Sequence, residues 1–105
     1  MERRICQAIE ERHTLTFEYE AGTYVVEPFL HGISTAGHES VRAFQVGGDD
    51  HSGQEEKWKL FRLDRIHHLH ITQDKFSDHR AGYNPQDHEM ATIHCSVTQP
   101  VAEPH

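Results

Sequence analysis

Residues 14–28 read TLTFEYEAGTYVVEP. Leu15, Phe17 and Tyr19 alternate with Thr14, Thr16 and Glu18, the period-two pattern of a half-buried antiparallel strand. Glu20-Ala21-Gly22-Thr23 has the length and the glycine of a tight hairpin turn. A long second strand follows, 23–34, and Pro28 removes one ladder donor from it. That strand must bend at Pro28 or run along an edge there.

Working outward, ERRICQAIEER, 2–12, spaces Ile5, Ala8, Ile9 and Arg12 as one face of a helix. Downstream, 35–38 reads as a turn and SVRAFQVG, 40–47, as a third strand. Residues 47–56 read as a polar, glycine-rich loop. WKLFRL, 58–63, and IHHLHIT, 66–72, are a fourth and a fifth strand. One helix followed by five short strands suggests a small barrel, whose closure removes exposed edges. Beyond Thr72 the chain turns polar. Phe76 is expected to plug one barrel end, 91–97 to add a strand, and 98–105 to fray.

The 105 residues suit a single core. A hydrophobic fraction of 35% and a mean hydropathy of -0.75 leave part of the chain outside it. The net charge is -7, and neither half is basic: residues 1–72 carry 8 Lys/Arg against 12 Asp/Glu, residues 73–105 carry 2 against 5. Broad adhesion to a phosphate backbone is disfavoured, although a local arginine pocket is not. Two cysteines, Cys6 and Cys95, make no disulfide framework and read as small apolar side chains in a reducing, cytoplasmic protein. No apolar run approaches the ~18 residues of a membrane span.

Several pieces resemble the WYL domain: AIEERHTLTFEY (8–19), VEP (26–28), VRAFQ (41–45), FRLDRI (61–66) and HITQDKF (70–76). The resemblance covers residues 2–76, and FRLDRI is its most specific part. It departs at the namesake triplet, where Glu39-Ser40-Val41 stands in place of Trp-Tyr-Leu. It implies a mainly β fold with one N-terminal helix (α+β), a five-stranded Sm-like, SH3-type barrel over 1–76. Residues 77–105 form a C-terminal extension outside it. It further implies a stand-alone regulatory module of the kind found in bacterial transcription factors and antiphage systems. The expected ligand is a nucleotide or a short single-stranded nucleic acid, held by Arg42, Arg62 and Arg65.

The residues themselves carry that expectation some way. Arg42 alternates with Phe44 and Val46, and Arg62 with Trp58 and Leu60, so each guanidinium lies among apolar neighbours and needs a partner. A guanidinium fork matches phosphate or carboxylate in bidentate fashion. The partner is therefore either an anionic ligand or an internal carboxylate, with Asp64, Glu27 and Glu39 as candidates. His38 and Ser34 or Thr35 stand near enough in the turn to assist. Tyr24, Phe44, Trp58 and Tyr83 are candidate stacking faces for bases.

Eleven histidines are many for this length. His68 and His70 share a strand face, and His31, His38, His94 or Asp64 could complete a metal site with them. A lone H-x-H without a cysteine pair favours a solvated face instead, so neither a metal nor another cofactor is expected. Catalysis is not expected either: His94 and Cys95 are adjacent and point to opposite sides of a strand. The competing reading is a small interaction barrel without a ligand, forming a homodimer or docking on a partner protein through the Pro28 strand and strand 91–97.

Overall fold

The computed structural model describes residues 2–20, 22–48, 57–77, 82–84 and 86–97. The expected loop over 49–56 and the expected fraying of 98–105 lie outside these. The elements are α1 (Glu2–Glu11), β1 (His13–Tyr19), β2 (Gly22–Ser34), β3 (Glu39–Gly48) and β4 (Trp58–Arg62). A 3-10 turn (Leu63–Arg65), β5 (Ile66–Lys75) and β6 (Met90–Ser96) complete the set. Among the described residues the protein is mainly β with one helix, as the alternation in 14–28 and the apolar stripe in 2–12 indicate.

All ladders are antiparallel, in the order β4-β3-β2-β1-β5, with β6 also on β2. The expected closed barrel is not formed: among the described residues β4 and β5, the two ends of the path, share no ladder. β4 has only five residues, and its last backbone N–H, that of Arg62, donates to the Tyr19 hydroxyl (3.1 Å). The three-residue 3-10 turn then carries the chain to β1 before a β4–β5 ladder can begin.

β2 organises the sheet. Its first half pairs with β1 from Gly22 to Val26, and its second half pairs with β6 from Leu30 to Ser34. Pro28 falls in the gap between these partners, and the β2–β3 register shifts between Pro28 and Leu30. The bend anticipated at the proline is therefore tolerated where one side of the strand has no ladder to lose. Gly32 permits a close approach of β6, since a Cβ there would overlap the Thr92 carbonyl oxygen.

α1 lays Ile5, Ala8 and Ile9, all fully buried, against the sheet. Burial of each isoleucine is worth about 2 kcal/mol. The helix ends at Arg12, whose φ of 61° turns the chain into β1. Arg12 O accepts from the Phe76 N–H (2.9 Å), and Arg4 donates to Leu69 O (2.8 Å), so both helix ends are tied to the β5 region. Inside, Phe17 meets Phe61 edge-on at 5.0 Å, with Tyr19 and Tyr24 around them. A second aromatic group gathers on Phe29, whose ring lies 5.1 Å from Trp58, 5.1 Å from Phe76 and 4.9 Å from Tyr83. Phe76 is buried in this group, but with the barrel open it plugs no barrel end.

The C-terminal extension is built into this body. The strand expected at 91–97 is β6, paired within the molecule, and Val97 sits in the core. Cys6 and Cys95 are joined as a disulfide that ties α1 to β6 across 89 residues. The reading of both as separate apolar side chains is thereby corrected. Nothing at Cys6 signals a partner so far along the chain, and only the folding of β6 onto β2 brings one to it.

In β5 the histidines lie as a solvated face. Glu18 pairs with His67 and Thr16 with His70, leaving one extra residue in β5 between them. His68 takes up that bulge with φ 56°, while Leu69 turns inward. His67, His68 and His70 are exposed, and the nearest carboxylate to His68 is Glu18 (3.1 Å).

Candidate functional site

The β3–β4 ladder sets Ser40 opposite Arg62, Arg42 opposite Leu60 and Phe44 opposite Trp58. Alternation sends Val41, Ala43 and Phe61 into the core. The other face therefore carries Phe44 and Trp58 at one end, Arg42 and Leu60 in the middle, and Ser40 and Arg62 at the other end. Arg42 and Arg62 are diagonal neighbours on one surface, as their alternation in the sequence requires.

Trp58 is held from several sides. Phe44 meets it edge-on at 5.2 Å and Tyr83 stacks on it at 5.9 Å. Gly82, at φ 91°, comes close enough that a Cβ would stand 2.7 Å from the indole Nε1. Beside it opens a cavity of about 400 Å³ lined by Arg42, Trp58, Gly82, Asn84, Asp87, His88 and Glu89. That volume suits a base-sized ligand.

The three arginines all face carboxylates, but in different settings. Arg42 is 17% exposed and donates from Nε to Asp87 (2.7 Å) and from Nη2 to Glu89. Burial works against its charge, yet the hydrogen bonds to Asp87 and Glu89 outweigh that and hold its pKa above the usual arginine value. Burial likewise opposes ionisation of Asp87. The Arg42 guanidinium and the Glu89 backbone N–H (3.0 Å) overcome it and draw the Asp87 pKa below the ordinary carboxylate value. Both acids come from the C-terminal extension, so the partner of Arg42 is neither Asp64, Glu27 nor Glu39. This pair fixes the cavity wall.

Arg62 lies at the outer end of the same face, and Arg65 follows it in the 3-10 turn. Arg62 binds Asp64 two residues on (2.7 Å), and Arg65 reaches Glu20 (3.2 Å). Asp64 is exposed, and the Arg62 hydrogen bond keeps its pKa low, with His38 and Arg65 contributing at longer range. Exposed pairs of this kind contribute little to stability, so exchanging the carboxylate for a ligand phosphate costs little. His38 belongs to this end. Ser34 does not: it is buried, and its hydroxyl accepts from the His38 backbone N–H (3.3 Å) within the turn. Tyr24 is likewise drawn into the Phe17–Phe61 group.

The Asp87 carboxylate makes stability pH-dependent with a definite sign. Its native pKa lies below its unfolded value near 3.9, so the unfolded chain takes up the proton first as pH falls. The contribution is complete above about pH 5 and disappears as pH drops through the native pKa. Urea titrations between pH 3 and 6 should show stability rising with pH. Asp87→Asn should flatten that rise and cost about 1–3 kcal/mol at pH 7.

A second cluster lies where α1 meets β6. The His31 ring is 1% exposed, with Nδ1 3.6 Å from Cys6 Sγ and 3.7 Å from Cys95 Sγ. Its Nε2 stands 2.9 Å from Glu39 Oε1, and the other Glu39 oxygen is 3.6 Å from His94 Nε2. Arg3, Cys6, His31, Glu39 and His94 line a cavity of about 380 Å³. His31 and His94 are among the histidines weighed in the sequence as ligands, but His31 lies against the two cysteines and His94 against His31 and Glu39, not beside His68 and His70.

No family model, curated protein or solved structure matches this chain. No helix among the described residues is long and apolar enough to cross a membrane.

Proposed function

We propose that this chain is a non-enzymatic, regulatory ligand-binding module, resembling a WYL domain on an open Sm-like, SH3-type scaffold. It binds a nucleotide or short single-stranded nucleic acid along the outer face of β3 and β4. The supporting observation is the β3–β4 register, which lines up an aromatic end (Phe44, Trp58) with the exchangeable guanidinium of Arg62 on one strip, with Arg65 following in the 3-10 turn. Aromatic platforms beside cationic side chains are how single strands are held without reading sequence, each base adding ~1–3 kcal/mol. In this reading Arg62, Arg65 and His38 meet phosphates, Trp58 and the adjoining cavity receive a base, and Arg42 positions the cavity wall through Asp87 and Glu89. The module acts in transcription regulation in a bacterial cytoplasm. Docking on a second copy or on a partner protein is the alternative, favoured by Ile93, 43% exposed on a strand that pairs only with β2 among the described residues.

Fluorescence anisotropy of a labelled single-stranded oligonucleotide at two salt concentrations tests this. Binding should weaken with salt. The double variant Arg62→Gln, Arg65→Gln should bind at least about tenfold more weakly, with a log–log salt slope shallower by roughly 1.4, which is two single-strand contacts. Its melting temperature should stay within a few degrees of the parent, because both pairs are exposed. Undiminished binding by the double variant would refute the assignment.

A further inference from the structure

Cys6, Cys95 and His31 offer three donor atoms within 4.8 Å of one another, and these residues are buried or half-buried. We propose that, once the disulfide is reduced, these three residues bind a zinc ion, with Glu39 orienting His31 and the fourth position open to the cavity beside Arg3 and His94. This site is separate from the β3–β4 face and does not depend on its function.

The distances carry the proposal. Tetrahedral zinc, with Zn–S of about 2.3 Å and Zn–N of about 2.0 Å, sets sulfur-to-nitrogen edges of roughly 3.6 Å. His31 Nδ1 already stands 3.6 and 3.7 Å from the two sulfurs. Only the sulfurs must part, to roughly 3.8 Å, the sulfur-to-sulfur edge of the same tetrahedron. The Glu39 carboxylate can only accept, so His31 Nε2 carries the proton it donates there, and Nδ1 is the nitrogen directed at the sulfurs. A carboxylate behind a ligating histidine fixes its tautomer and raises its basicity. Two thiolates and an imidazole are donors that zinc favours.

The chemistry balances with a dithiol as reductant. It attacks the Cys6–Cys95 bond, becomes a disulfide itself, and leaves both protein sulfurs as thiols. Zinc then displaces the two thiol protons to solvent and bonds to both thiolates and to His31. In the cytoplasm, where such pairs are kept reduced, zinc would tie α1 to β6 in place of the disulfide.

The test uses the full chain, reduced with a phosphine and freed of metal, then titrated with Co²⁺ and with Zn²⁺ in competition. One Co²⁺ per chain should give thiolate charge-transfer absorption and the visible bands of a tetrahedral site, and Zn²⁺ should erase both. The oxidised chain should give neither. Cys6→Ser should lose the thiolate band, and Glu39→Gln should weaken binding about 10- to 100-fold. Circular dichroism of each reduced variant reports whether it is folded. If Cys6→Ser is not, Glu39→Gln decides, since Glu39 is 37% exposed and touches no sulfur. Absence of a thiolate band in the folded, reduced parent would overturn the site. So would equal Zn²⁺ affinity in the oxidised chain, or in folded Cys6→Ser or Glu39→Gln, because binding would then belong to surface histidines.

Discussion

Removing the Cys6–Cys95 link should lower stability by about 3–4 kcal/mol. The link closes a segment of 89 residues, most of the 105-residue chain, and so restricts the unfolded ensemble strongly. It is also the covalent tie between the helix, which carries Ile5, Ala8 and Ile9 into the core, and β6, which among the described residues has a single ladder. For a domain of this size the loss corresponds to a melting temperature lower by something on the order of 15 °C. Thermal melts of the parent and of Cys6→Ala, Cys95→Ala, both with a chelator present, read it directly. The chelator keeps zinc from stabilising any parent molecules whose link has been reduced, so that the melts read the disulfide alone. A change of only a few degrees would show that β2–β6 pairing and helix packing hold the molecule without the link.

Phe29→Ala should cost about 3–5 kcal/mol, the usual range for emptying a fully buried phenylalanine site. Its effect should also extend beyond stability. Phe29 touches Trp58, Phe76 and Tyr83 at once and sits at the bend of β2, where the strand passes from β1 to β6. It therefore packs edge-on against the indole while Tyr83 stacks on it and Gly82 comes close to its Nε1. Urea unfolding gives the stability term, and near-ultraviolet circular dichroism gives the ordering of Trp58. A variant as stable as the parent, or one that loses stability with an unchanged aromatic spectrum, would contradict this double role.

The parts of the fold that were legible in the sequence are those set by local periodicity. The 2–12 stripe, the 14–28 hairpin and the alternation around Arg42 and Arg62 each follow from where apolar side chains fall along a few residues. Even the disturbance of the strand at Pro28 was visible, as a bend or an edge, because a missing donor is a property of the residue itself. What stayed hidden depends on contacts distant in sequence. Barrel closure fails because β4 is short and Tyr19 takes the Arg62 N–H, which no local pattern announces. Arg42 takes Asp87 and Glu89 from a polar segment whose composition resembles a solvated face. The disulfide and the His31–Glu39 pair require β2, β3, β6 and α1 to be assembled first. Ser34 appeared available beside His38 because both lie in one turn, and that same turn consumes its hydroxyl.

Trp58 is the sole tryptophan of the chain, so its emission reports on the proposed site without a label. The deciding measurement is a titration of the parent with unlabelled oligothymidylate at low salt, following that emission. Saturable quenching that weakens with salt and is lost in the Arg62→Gln, Arg65→Gln variant is the expected result. Emission that stays constant to millimolar oligonucleotide would mean that no base reaches the β3–β4 face, and the nucleic-acid function proposed for it would be wrong.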